Sequence, residues 1–212
     1  TRSAEVGAAG SRYERLARVA AIPAGELERI VAYLLDPDPA VADAARQRLE
    51  ALPSFDPGRH LELLVRAVEN PDGDAVRVWA ARQLAGTGEP GVDALLSILR
   101  TRRGDRELHD ALMYAPSAQL EREDVRRQLA PMYLHWYVYW DPDSLGDPRG
   151  LARRRDAQAR FEAVLDRHLD DVRDIARGAR SSDATLGARM YLLQRGAPGL
   201  MRLAEALAEQ VV

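Results

Sequence analysis

The sequence predicts an all-α fold, an α-solenoid of antiparallel helix pairs, on three observations. Val41, Ala45 and Leu49 recur 35 residues later as Val76, Ala80 and Leu84. They return 108 residues beyond as Ala184, Ala188 and Leu192, three further periods of about 36 residues. Between and around these copies, apolar residues fall at the i, i+3, i+4, i+7 spacing that puts them on one helix face. Self-similarity at a fixed period is the mark of stacked helices that bury their apolar faces only against neighbours.

The elements follow in order. Residues 1–11, Thr-Arg-Ser-Ala-Glu-Val-Gly-Ala-Ala-Gly-Ser, are small and unpatterned, and read as a flexible leader to a single helical domain over 12–212. From Tyr13, the residues Leu16, Val19 and Ala20 form a first apolar face. Pro23 is expected to open a second helix carrying Leu27, Ile30, Val31, Leu34 and Leu35. Asp36, Pro37, Asp38 and Pro39 end that helix and cap the next, because proline breaks a helix and an aspartate complements the dipole at a helix start. The third helix carries Val41, Ala44, Ala45, Leu49 and Leu52, with alanines small enough for close helix approach. A turn over 53–57 leads to a helix with Leu61, Leu64, Val65 and Val68, and a second turn over 70–74 to a helix over 76–85. Gly86 and Gly88 stop it, and Pro90 begins another with Val92, Leu95, Leu96 and Leu99.

These phrases carry a resemblance. Leu34 to Val41, followed by Ala44, Ala45 and Leu49, resembles the HEAT-repeat phrase of two leucines, an Asp-Pro turn, a branched residue, paired alanines and a leucine. Asp74, Val76, Ala80, Ala81, Leu84, Gly86 and Gly88 repeat it, and Gly196, Ala197, Pro198, Gly199 and Leu200 match Gly88, Glu89, Pro90, Gly91 and Val92. The likeness covers about residues 25–100 and 172–210, and it implies a HEAT-like solenoid, a fold that mostly serves as a binding scaffold.

The middle, 101–171, departs from the pattern. A short helix over 108–114, a long one over 117–140, a turn-rich loop over 141–150 and a second long helix over 151–177 are expected there. Insertions into a solenoid gather on one face, often the binding face, so function is expected in or beside 100–160.

Composition bounds what that function is. The chain has 212 residues, 46% of them hydrophobic, and a net charge of -3, which gives no broad positive field for nucleic acid or anionic lipid. The absence of cysteine excludes disulfides, thiolate chemistry and Cys-type metal sites. All 30 basic residues are arginine, as the codons of a GC-rich bacterial genome favour, and Schiff-base and P-loop lysine chemistry are thereby excluded. There is no run of about 18 apolar residues and no signal-peptide plan, so a cytoplasmic protein that does not enter membranes is expected.

Five of the twelve aromatics lie within Tyr133, Leu134, His135, Trp136, Tyr137, Val138, Tyr139 and Trp140. Tyr133, Trp136, Tyr137 and Trp140 share one helix face, suited either to filling a helix interface or to meeting a partner. His135 and Tyr139 lie off that stripe and are the better candidates for exposure. Arginines cluster at 100–106, at Arg126 and Arg127, and at Arg149, Arg153, Arg154 and Arg155, where forked contacts to carboxylate or phosphate compete with plain helix-end solvation. The candidate binding residues are therefore Tyr133, His135, Trp136, Tyr139, Trp140, Arg149, Arg153 and Arg154.

Asp141, Asp143 and Asp147 invite a calcium reading, but Leu145 and Ala152 stand where that loop needs ligands, so no metal is expected. His60, His109, His135 and His168 form no i, i+4 ligand pair, and His168 is expected in an exposed ion pair with Asp171. No GxSxG, GxGxxG or Walker motif occurs, so no catalytic residue and no cofactor are expected.

The reading that follows is a non-enzymatic protein-binding scaffold or adaptor with a protein partner. One alternative is similarity to the HEAT-like alkylpurine DNA glycosylases, which would employ Trp136, Trp140, Asp141 and Asp143 but need a clearer positive stripe. Another is a regulatory repeat module of a longer protein.

Overall fold

The structure, a computed structural model, describes residues 10–70, 74–137, 148–178 and 182–208. Every regular element among them is helical, with no strand, and none of these helices is long and apolar enough to cross a membrane. The helices group into two compact units, Thr1–Leu112 and Met113–Val212, and the division falls inside the segment where the repeat phrase is lost.

The first unit contains α1 (Arg12–Ala21), α2 (Leu27–Ala32, extended by a 3-10 turn over Tyr33–Leu35), α3 (Pro39–Glu50), α4 (Leu61–Glu69), α5 (Asp74–Gly86), α6 (Glu89–Thr101) and α7 (Arg106–Leu112). Ser11 starts α1 through a capping box with Glu14, and Asp38 starts α3 by accepting the Ala40 N–H at 3.0 Å. The Arg12 guanidinium beside Asp38 holds that carboxyl below its usual range. Pro23 does not open α2; the chain turns over 23–26 and the helix begins at Leu27.

The recurring phrase lies in the core. Val41, Ala45, Leu49, Val76, Ala80 and Leu84 are all at most 3% exposed, and each fully buried Val or Leu contributes about 1.5–3 kcal/mol. Helix α5 packs on α4, α6 and α7, so its alanines 80 and 81 are covered on both sides.

The second unit contains α8 (Ser117–Leu120), α9 (Glu123–Tyr137), α10 (Pro148–Arg167), α11 (Leu169–Ala176), α12 (Asp183–Leu193) and α13 (Gly196–Ala208). The two long helices expected here are each divided. The first breaks before Glu123 and Asp124, the second at His168 before Asp170 and Asp171, and these acids favour a new helix N-terminus. Helix α9 runs on through Pro131.

The third copy of the phrase sits in α12, where Ala188 and Leu192 are fully buried against α9, α11 and α13. Its connection to α13 repeats the α5–α6 connection in detail. Gly88 and Gly196 both take positive φ, 83° and 63°, which glycine alone adopts without strain. Three residues later, Gly91 and Gly199 lie against the carbonyl of the leucine that ends the phrase. A Cβ on Gly91 would sit 1.9 Å from the Leu84 oxygen, and one on Gly199 would sit 2.1 Å from the Leu192 oxygen. Thr87 N and Arg195 N donate to those same carbonyls at 3.0 and 3.1 Å.

Gly91→Ala and Gly199→Ala are each expected to destabilise the fold by about 1–3 kcal/mol, through overpacking against backbone that cannot retreat. Gly86→Ala, where a Cβ meets nothing within 4 Å, is expected to change stability by less than about 1 kcal/mol. Urea unfolding of the three variants measures the contrast, and equal losses at all three would refute this account of the turn.

Candidate functional site

The aromatic helix α9 is held in the second unit by close backbone contact. A Cβ on Gly187 would lie 1.8 Å from the Leu134 carbonyl oxygen, so α12 meets α9 with no side chain between them at that point. Val125, Leu129, Ala130, Tyr133 and Leu134 are buried along the contacting faces.

Around this contact the tyrosines form a polar–aromatic network with α10 and α12. Tyr133 donates its hydroxyl hydrogen to Glu162, accepts from Gln158 Nε2 at 3.1 Å, and packs edge-on to Phe161 with ring centroids 5.4 Å apart. Tyr191 places its hydroxyl 2.7 Å from Asp166 Oδ1 and 3.0 Å from the Glu162 carbonyl oxygen. Tyr137 lies edge-on to Tyr191 at 5.3 Å and donates to Gln194. Arg195 completes the set. Its Nε is 2.6 Å from Asp166 Oδ1, its Nη2 is 3.3 Å from Glu162, and its guanidinium carbon stacks 3.9 Å above the Tyr191 ring.

Burial, reinforced by the carboxylate each one faces, pushes the Tyr133 and Tyr191 hydroxyls well above the ordinary phenol range. Burial also raises Tyr137. Desolvation works against the Arg195 charge, but its hydrogen bond to Asp166 and the facing Tyr191 outweigh it and raise its pKa. The two carboxylates, i and i+4 on α10, are thus occupied by phenols and a guanidinium. Such a closed network fixes the register of α9, α10 and α12.

A second charged group holds the start of α9. Glu121 accepts from Arg167 Nε at 2.9 Å and lies 2.7 Å from His168 Nε2, and Arg167 with His168 holds its carboxyl below the usual range. Arg126, buried, pairs with Asp171 at 2.7 Å and donates to the Glu121 carbonyl. His168 therefore meets Glu121 rather than Asp171, whose carboxylate is paired with Arg126.

The sequence-predicted contacts are placed as follows. Tyr133 is buried in the network. His135 is half-buried, 3.8 Å from Asp183 and edge-on to Trp136, whose indole N–H faces Met132 Sδ at 3.3 Å. Arg149 lies in the first turn of α10, Arg153 is exposed and Arg154 half-buried. Tyr139, Trp140 and the aspartates 141, 143 and 147 lie outside the described residues. Among the described residues no group of three or more His, Asp or Glu is placed to hold a metal ion.

The feature that sequence reasoning missed lies on α12 and α13. Leu186, Leu193, Leu200, Met201 and Leu207 are between 42% and 61% exposed, five of the six exposed large apolar side chains among the described residues. The signal was present in the composition of α13, Gly-Ala-Pro-Gly-Leu-Met-Arg-Leu-Ala-Glu-Ala-Leu-Ala, which is apolar on every side except at Arg202 and Glu205. Those two pair with each other at 3.0 Å. A helix apolar all round is normally a covered one.

No protein-family profile, no curated protein and no solved structure matches this chain.

The tyrosine network implies a pH dependence with a definite sign. In the unfolded chain these phenols ionise near pH 10, whereas in the fold they stay protonated. Their contribution is therefore fully present below about pH 10 and is lost as pH rises above it. Tyr133→Phe with Tyr191→Phe is expected to cost about 1–3 kcal/mol at neutral pH and to flatten the alkaline loss. Urea unfolding on either side of pH 10, with phenolate absorbance followed in parallel, tests this; full titration of every tyrosine near the ordinary value in the folded protein would refute it.

Proposed function

We propose that this chain is a HEAT-like helical repeat protein that acts as a protein-binding scaffold, and that its contact surface is the exposed apolar face of α12 and α13. The observation that carries this reading is the concentration of exposed Leu186, Leu193, Leu200, Met201 and Leu207 on two adjoining helices. Large apolar side chains left exposed together on neighbouring helices are the kind of surface that protein interaction sites employ. The repeated glycine turn supports the solenoid reading, because the same helix–turn–helix geometry is built twice at the repeat spacing.

The acidic balance of the chain fits a protein partner better than duplex DNA. Several arginines are also engaged internally: Arg48 with the carbonyls of Val19, Ala20 and Ile22, Arg102 with those of Val68 and Glu69, Arg126 with Asp171. Exposed Arg153 and half-buried His135 and Trp136 are secondary contacts available to the same partner.

Leu200→Gln with Leu207→Gln is expected to lower capture of protein from lysate at least tenfold. The melting temperature should stay within about 4 °C of the parent. Affinity capture on the immobilised chain, with labelled duplex DNA as a parallel ligand, checks both. An unchanged capture profile, or salt-dependent DNA binding in its place, would overturn the reading.

A further inference from the structure

We draw no further inference here: the strongest candidate, the exposed apolar side chains Leu186, Leu193, Leu200, Met201 and Leu207 on α12 and α13, belongs to the surface already proposed for protein binding, and nothing in the structure shows what covers it.

Discussion

The constraint on which the rest of this structure depends is the large number of helix ends. The described helices run from 4 to 20 residues, and each leaves up to four backbone carbonyls without an intrahelical partner at its C-terminus. Arginines from later elements fill that need. Arg48 of α3 reaches the carbonyls of Val19, Ala20 and Ile22 at the end of α1. Arg102, just past α6, reaches Val68 and Glu69 at the end of α4, and Arg189 of α12 reaches Ala176 at the end of α11. Each contact satisfies orphan carbonyls and sets a cation on the negative pole of a helix, and those of Arg48 and Arg102 tie together elements that are not neighbours in sequence. A guanidinium suits this role better than an ammonium because its fixed fork serves two or three acceptors at once. The exclusive use of arginine therefore has a structural consequence, whatever its genomic origin.

Once the ends are satisfied, distance between helices is set by backbone contact at glycines. Gly91 and Gly199 each admit the carbonyl of the preceding phrase leucine, and Gly187 admits that of Leu134. The first copy of the phrase lacks this turn. After Leu49 the chain makes the same Leu52 N–H to Leu49 carbonyl bond, at 3.1 Å, but then enters Pro53 and a longer connection containing the 3-10 turn Pro57–His60. There Phe55 stacks between His60 and Trp79, with centroids 5.6 Å from each, and aromatic packing takes the place of the glycine contact.

Much of the fold was legible in the sequence because the physics that made it is local. The i, i+4, i+8 spacing of Val41, Ala45 and Leu49, the Asp38 cap and the glycine–proline turns each act within a few residues, and the helices they predict are present. The errors fall where tertiary contacts decide. His168, at a helix break, meets Glu121, 47 residues away, rather than a neighbour on its own helix, and the expected start of α2 at Pro23 gave way to a turn. The candidate site was legible in a different measure. Periodicity placed Tyr133 and Tyr137 on one face, but a face that fills a helix interface and a face that meets a partner carry the same pattern, and only Glu162, Gln158 and Gln194 on other helices distinguish them.

The exposed leucines lie in the third copy of the phrase and the helix after it rather than where the repeat breaks. A divergent segment has to solve its own packing, and here Tyr133 and Tyr137 of α9 are used for that, bound to Glu162 of α10 and to Gln194 just past α12. The third copy keeps the glycine turn of the second but not all of its packing: Arg189 stands where Ala81 is fully buried, and fully buried Tyr191 stands where Gln83 is half-buried. Val92 and Leu200 stand at the same step after the same glycine turn, one fully buried and the other half in solvent.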